Sequence, residues 1–273
     1  LISQYFYPET FRVNDMACEW VKRGYKVTVL TGIPNYPMGK YFDGYDKKHK
    51  TREIWNNVNI IRIPLIARGN SSNSILNSLG MVANYFSFII SGKKWVKSQE
   101  AANLNVDLVF TFEVSPMTQA LIGLWYKKRY HVPTYLYVQD LWPENVETVT
   151  GIHNKFIIEP INRMVDKIYR KTDMIFTTSP SFVNAIINRK KLVDKRKVHY
   201  WPQYAEDFYK PMTPQPMSSI ESSDNSYKIA FTGNIGTAQG LDVLPKAARL
   251  LKDEVVKFII VGDGRYQAEF EKQ

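Results

Sequence analysis

The 273-residue chain has a single cysteine, Cys18, so no disulfide can form within it. Cys18 sits beside Met16, Ala17 and Trp20 in a helical pattern and reads as a small buried hydrophobe rather than a nucleophile. Histidine is also scarce. His49, His131, His153 and His199 are scattered singly, without the paired spacing of a zinc site, so no metal is expected. No apolar run approaches the roughly 20 residues of a membrane span. The longest candidate, 75–96, is broken by Asn77, Ser78, Asn84, Ser91, Lys93 and Lys94. These absences lead to the expectation of a soluble protein of a reducing compartment. The chain opens on what reads as the tail of a strand and closes on a helix without a stop signal, so a fragment is expected.

Acid is outnumbered: 26 Asp and Glu face 36 Lys and Arg, a net charge of +10. The bases cluster at Lys47-Lys48-His49-Lys50, Lys127-Lys128-Arg129, Arg170-Lys171, Arg189-Lys190-Lys191 and Lys195-Arg196-Lys197. Such clusters attract nucleic acid, acidic lipid or phosphate-rich ligands, or else stand as solvated helix ends. A hydrophobic fraction of 44% with 23% charged residues belongs to a globular chain.

Short β-rich runs at 27–31, 60–63, 108–111, 134–138, 174–178 and 198–201 alternate with helical periodicity at about 12–23, 73–98, 116–129, 155–171 and 181–190. That alternation predicts an α/β fold with a parallel sheet covered on both faces, whose ligands sit beyond the carboxyl ends of the strands. The stretch PMTPQPMSSIESSDNS at 211–226 lacks hydrophobic periodicity and reads as a linker or surface loop. A second alternation follows: strand 228–232, helix 241–251, strand 257–261 and a final helix from about 265. Two Rossmann-like domains are therefore expected, at 1–204 and 205–273, the second incomplete.

The candidate chemistry lies in the loops after the strands. FTGNIGTAQGL at 231–241 leaves a strand, passes Gly233, Gly236 and Gly240 and enters a helix, as a phosphate-binding turn does. Its spacing differs from the G-x-G-x-x-G dinucleotide fingerprint. VGDG at 261–264 ends the next strand, where Asp263 meets a hydroxyl or shapes a tight turn. Gln139 and Asp140 end the fifth strand, with Glu144 four residues on. A carboxylate there binds hydroxyls or acts as a base, or Asp140 caps a helix. Glu113 ends the preceding strand, and Ser115 is placed to cap the next helix. The loops at 5–12 and 31–40, rich in aromatics and proline, read as binding loops.

Taken in order, SQYFYPE at 3–9, LTGIPNYPMGKYFDGY at 30–45, TFEVSP at 111–116, QDLWPE at 139–144, YWPQYAEDFYKP at 200–211, FTGNIGTAQGLDVL at 231–244 and VGDG at 261–264 resemble the bacterial branch of glycosyltransferase family four, the GT-B-fold enzymes of capsule, O-antigen and exopolysaccharide assembly. The resemblance implies metal-free, retaining transfer of a sugar from a nucleoside diphosphate, usually UDP, which is a substrate and not a cofactor. It implies an acceptor-binding first domain, with acceptor contacts from Pro8, Glu9, Arg12, Asn35, Glu113 and Ser115. A donor-binding second domain would use Gly233, Asn234, Ile235, Gly236, Gln239, Gly240, Gly262, Asp263 and Gly264. Asp140 and Glu144 are the implied catalytic carboxylates at an interdomain cleft, and 202–207 the crossover between domains.

Two departures stand out. The diphosphate-holding Arg and Lys of many family members are replaced by neutral Asn234 and Gln239, and the family's paired glutamates are expected beyond Gln273. As given, the chain is not expected to catalyse transfer. The implied partners are a nucleotide-sugar donor and a lipid-linked or saccharide acceptor. An anionic membrane surface is added by the basic clusters and the helix at 75–95 with Tyr85, Phe86, Phe88 and Trp95, although apolar residues at that spacing also suit a core. The expected location is cytoplasmic, on the inner face of a bacterial plasma membrane. No nucleic-acid module is recognised. Two alternatives are a UDP-sugar epimerase of the same fold and a non-catalytic protein that binds anionic surfaces.

Overall fold

The computed structural model describes residues 1–69, 74–150, 152–189, 193–206, 209–213, 225–236, 239–264 and 266–273. The chain divides into two compact units, Leu1–Tyr204 and Ala205–Gln273.

In the first unit, β1 (Thr28–Gly32) pairs in parallel with β3 (Val58–Ile63), and β2 (Arg52–Trp55) pairs antiparallel on the far side of β3. A second ladder runs β4 (Val109–Glu113), β5 (Thr134–Val138), β6 (Met174–Thr177) and β7 (Val198–Tyr200), all parallel. Ile2 stitches the two ladders together with parallel bridges to Leu30 and to Thr111. Among the described residues the order is therefore β2-β3-β1-Ile2-β4-β5-β6-β7. Chain progress reverses direction across the sheet at Ile2. That reversal is the topological switch point, where two loops leave neighbouring strands on opposite sides and open a crevice.

Helices cover both faces. On one side α2 (Ser74–Val96) and α4 (Ala120–Tyr130) pack on Ile2, Leu30, Ile61 and Val109 through Phe88, Ile89, Ile122 and Tyr126. Elsewhere α6 (Lys155–Lys171) and α7 (Pro180–Ile187) bury Val165, Ile168, Tyr169 and Ile186 against Leu136, Val138 and Ile175. Opposite, α1 (Arg12–Lys22) sets Val13, Met16 and Ala17 on Val29, Ile60 and Phe112. Each fully buried aliphatic side chain contributes about 1.5–3 kcal/mol. Gly92 lets α2 lie against α4, since a Cβ there would stand 2.3 Å from Ile122 Cδ1.

Three elements were not expected from periodicity: β2, α3 (Gln99–Asn103) and α5 (Glu144–Thr150). β2 adds one antiparallel edge strand to the expected parallel sheet. Asn56 and Asn57 both adopt positive φ, 46° and 63°, and turn the chain straight back into β3.

Four bases of the clusters are engaged within the fold. Lys197 Nζ donates to the carbonyls of Tyr169, Arg170 and Thr172 and so closes the C-terminus of α6. Lys127 pairs with Asp173, Arg196 with Asp194, and Arg189 with the buried Asp166. Lys190 and Lys191 lie outside the described residues. The anionic-surface expectation therefore loses these four bases.

In the second unit, β8 (Tyr227–Thr232) and β9 (Val256–Val261) pair in parallel with α8 (Val243–Leu250) between them, a βαβ unit. Its core is Ile235, Leu241 and Tyr266, with Phe231, Leu244, Ile260 and Phe270 packed against it. The final helix, α9 (Gln267–Phe270), is a single turn.

Candidate active site

The loop after Ile2 is tied to its neighbours by buried amides. The Gln4 amide donates to Gln119 Oε1 (2.8 Å), and Gln4 Nε2 donates to Asn84 Oδ1 (2.6 Å). Asn84 Nδ2 continues to Asn35 Oδ1 (3.2 Å) and to the Ile66 carbonyl (2.7 Å). Side chains from four segments thus form one network under the switch point, in which Gln4 Oε1 is buried without a partner among the described residues.

Glu9 belongs to that frame. Its carboxylate accepts from the amides of Asn35 (2.8 Å), Tyr36 (2.7 Å) and Phe6 (3.3 Å). Burial raises its pKa to about 7, against the opposing pull of those amides and of Arg62. Glu9 and Asn35, expected to bind acceptor, are buried and spent on holding the loops at 5–12 and 33–39 together. Pro8 is part-buried in the same loop, following a cis peptide bond. Arg12 opens α1, with its guanidinium over the Tyr204 ring at 5.6 Å.

On the other side of the crevice, Asp140 Oδ2 accepts from the Ser115 amide (3.0 Å) and hydroxyl (2.7 Å). The same hydroxyl accepts from Trp142 Nε1 (3.0 Å) and Asn145 Nδ2 (2.7 Å). Two donors fix the direction of the Ser115 proton, so it points at Asp140. Ser115 is therefore a clamp on Asp140 and not the helix cap expected of it; Pro116 holds the N-cap position without a side-chain bond. Asp140 is partly exposed, and among the described residues its Oδ1 has no partner.

Glu144, the first residue of α5, is exposed and shares no bond with Asp140 among the described residues. The structure does not join the two expected carboxylates in one network. Glu113 corrects a further expectation. It is wholly buried, neither carboxylate oxygen has a hydrogen-bond partner, and desolvation followed by repulsion from Asp140 pushes its pKa well above the ordinary range. An enclosed side chain does not reach an acceptor.

In the second unit the two strand-end loops interlock through backbone. The Gly233 amide donates to the Val261 carbonyl (2.9 Å) and the Ile235 amide to the Asp263 carbonyl (2.8 Å). A Cβ on Gly262 would stand 1.9 Å from the Gly233 carbonyl oxygen, and one on Gly264 2.1 Å from that of Ile235. These glycines thus allow loop to meet loop. Ile235 is core, which corrects its assignment as a donor contact. The Gly236 amide is turned onto the Asn234 carbonyl (3.1 Å). Gly240, at φ 62°, lies in a turn, and α8 begins at Val243, later than expected. Asn234, Gln239 and Gly240 remain exposed, with Asn234 Nδ2 on Gln239 Oε1 at 3.3 Å, a neutral pair where a cationic one was absent from the sequence. The Asp263 side chain is exposed. Thr237, Ala238 and Asp207 lie outside the described residues.

Sequence reasoning missed an aromatic cluster in the loops after Ile2 and β1. Tyr5 stacks on Phe11 (ring centroids 5.3 Å) and packs on Tyr36 (5.6 Å). The Arg68 guanidinium lies over the Tyr36 ring at 5.7 Å. Burial raises the Tyr85 pKa, Arg68 opposes the shift and Asp140 adds to it. Asn84 was legible only as a polar break in an apolar helix, and Arg68 carried no signal.

Among the described residues no group of three or more His, Cys, Asp or Glu is arranged to hold a metal ion, and no helix is long and apolar enough to cross a membrane.

A parallel sheet with its functional loops at a switch point, followed by a βαβ unit with glycine-rich strand ends, is the fold class of the GT-B glycosyltransferases. Two solved structures carry the same architecture. HepE of Anabaena, in complex with UDP and glucose, superposes with a TM-score of 0.60 over 99% of this chain and 62% of its own, at 14% identity. Sucrose-phosphate synthase from Thermosynechococcus elongatus gives 0.60 over 95% of this chain and 59% of its own, at 13% identity.

The family description Glycosyltransferase Family 4 matches residues 11–203, and the chain belongs to that family. A protein of Escherichia coli named as the colanic acid biosynthesis glycosyl transferase WcaI is 26% identical over 271 residues, 93% of this chain and 62% of the relative. WbjE of Pseudomonas aeruginosa, named as a glycosyltransferase, is 27% identical over 134 residues, 47% of this chain and 33% of its own. The chain thus spans about three fifths of the length of the first relative.

Proposed function

We propose that this chain forms the acceptor side, and the opening of the donor side, of a retaining glycosyltransferase. The donor is a nucleoside-diphosphate sugar with UDP as nucleotide, and the acceptor is a saccharide or lipid-linked saccharide of surface-polysaccharide assembly. The single observation that carries this reading is Asp140: held on one oxygen by Ser115, open on the other, at the switch point of a family-4 domain. The UDP and glucose of the HepE complex and the colanic acid name of WcaI support the donor and the pathway class.

In the reaction the bond from the anomeric carbon to the diphosphate breaks and one to the acceptor oxygen forms on the same face. The acceptor proton passes to the departing phosphate oxygen. Asp140 Oδ1 accepts a hydrogen bond from a neighbouring hydroxyl of the acceptor and so orients the reacting hydroxyl, whose own proton is left free to pass to the phosphate, toward the anomeric carbon; Oδ2 stays with Ser115. The exposed backbone around Asn234 and Gly240 meets the diphosphate. Incubating the full-length protein with UDP-glucose, with and without a saccharide acceptor, tests the reading. Free UDP formed only with acceptor, and an α-linkage in the product, agree with it; interconversion of the sugar without acceptor contradicts it.

The protein works at the inner face of a bacterial plasma membrane, docked there by α2. The structure divides the apolar residues of this helix. Phe88 and Ile89 face the core, while Leu76, Leu79, Val82, Phe86 and Ile90 form an exposed stripe at three- and four-residue spacing. Lys93, Lys94 and Lys97 follow it, the arrangement that suits an anionic interface. Sedimentation with phosphatidylglycerol vesicles at low salt is the check: a protein that stays in the supernatant has no such docking face.

A further inference from the structure

The Ser115 hydroxyl has no hydrogen-bonding capacity left. It donates its one proton to Asp140 Oδ2 (2.7 Å), and its two lone pairs are filled by Trp142 Nε1 (3.0 Å) and Asn145 Nδ2 (2.7 Å). A substrate atom could bond to it only by displacing one of these partners. The open capacity beside it lies instead on two planar groups that share this oxygen. Among the described residues Asp140 Oδ1 and Asn145 Oδ1 both lack a partner, and both side chains are partly exposed.

Asn145 is held as firmly as Asp140. Its backbone amide donates to the Leu141 carbonyl (2.8 Å) in the first turn of α5, and its side chain is anchored on Ser115. The network also decides which end of the side-chain amide is free. The Ser115 proton goes to the carboxylate, so only a donor can stand on a Ser115 lone pair, and the Asn145 oxygen is left as the open end. A carboxylate oxygen and an amide oxygen thus flank one saturated hydroxyl. Both accept and neither donates, so they receive hydroxyl protons and disfavour an anion at this place. Two hydroxyls on neighbouring carbons of a sugar ring supply two such protons at a short, fixed spacing.

We propose that Asn145 is a specificity-determining residue of the acceptor site. Its Oδ1 accepts from a hydroxyl on the carbon next to the one whose hydroxyl is held by Asp140 Oδ1. The pair selects an acceptor sugar in which both hydroxyls are free, and rejects one in which either is missing, because an open oxygen then loses its partner. The proposal rests on the transferase reading and names what that same site requires of its substrate.

Binding of simple sugars to this 273-residue chain tests it without requiring transfer. The methyl glycosides of glucose, galactose and mannose are titrated by saturation-transfer NMR, and the tightest of them is compared with its analogues that each lack one ring hydroxyl. In wild type, two analogues altered at neighbouring carbons are expected to bind about five-fold or more weakly, the scale of one or two hydrogen bonds. In Asn145→Ala one of those two losses should vanish and the other persist, the crossed pattern that marks a direct contact. Trp142→Phe also removes a donor from Ser115 but leaves the Asn145 oxygen in place, and it should keep both preferences. Circular dichroism checks folding, and Asn145→Ser, whose hydroxyl is too short to reach the sugar, decides if Asn145→Ala is unfolded. Asn145 variants that keep both preferences overturn the proposal. So does a Trp142→Phe variant that behaves as Asn145→Ala, since Asn145 would then act only through Ser115. A wild type that binds none of the three glycosides, or that is indifferent to every neighbouring pair, overturns it as well. Each of these results leaves the transferase reading to its own test, acceptor-dependent release of UDP.

Discussion

Glu9 and Glu113 are buried carboxyls with opposite surroundings and the same electrostatic tendency. Glu9 holds three backbone amides and still titrates at about 7. Its folded value lies above the unfolded one, so the folded state keeps a proton that the unfolded chain has already released. The stability this provides is complete below pH 4.5 and is lost as pH rises to about 7, roughly 3 kcal/mol in all. Calorimetry across that window should show the melting temperature falling in wild type and a flatter profile in Glu9→Gln. A profile identical in the two proteins would remove Glu9 from the account. Glu113, its pKa also raised by burial, adds a loss of the same sign as pH rises. Because it is sealed away from the crevice, Glu113→Gln is expected to leave kcat within a few-fold and to be at least as stable as wild type at pH 8. A hundred-fold fall in kcat would return it to the substrate. Neither role was legible in the sequence: a glutamate at a strand end looks the same whether it faces a crevice or is sealed under the next loop. Ser115 and Asp140 were legible as strand-end residues, but their bond crosses 25 positions of chain and depends on the β4–β5 register.

Among the elements, those with sustained periodicity were readable and those without it were not. The helices α1, α2, α4 and α6 follow from apolar residues three and four apart, and the parallel strands from short apolar runs. β2 carries Arg52 and Glu53 and alternates between exposed and partly buried positions, as an edge strand does, so it gave no apolar run. The Asn56-Asn57 pair was the available signal for its hairpin. Position on a helix decides more than composition. In α2, Phe88 is fully buried and Phe86 57% exposed, two residues apart, so the choice between core and membrane had no single answer. Replacing both Leu79 and Phe86 by Ser is expected to change unfolding free energy by no more than about 0.5 kcal/mol each, while vesicle binding is largely lost. A large destabilisation in urea titration would show that the stripe is covered within the protein. In the second unit, Gly262→Ala forces a Cβ into the Gly233 carbonyl and should cost about 1–3 kcal/mol. It should also weaken UDP binding, since Asn234 and Gly240 sit on the displaced loop; unchanged UDP affinity in a destabilised variant would separate that loop from the donor.

At the scale of the whole molecule, the sequence order of strands and helices carried the fold class, because a switch point follows from which strand comes first. It did not carry the electrostatics. A net charge of +10 suggested a broad anionic partner, yet Lys197 closes a helix and Lys127, Arg189 and Arg196 are paired within the first unit. Lys47, Lys48, Lys128, Lys171 and Lys195 stay exposed without an acidic partner among the described residues, as do the lysines at the end of α2. The central claim is that Asp140 positions the acceptor hydroxyl while the donor is held elsewhere. Its most direct test is the steady-state kinetics of Asp140→Asn in the full-length protein, with UDP affinity measured in parallel. The account predicts kcat reduced by about a hundred-fold or more with UDP binding unchanged. Wild-type kcat in Asp140→Asn, or loss of UDP binding together with activity, would contradict it.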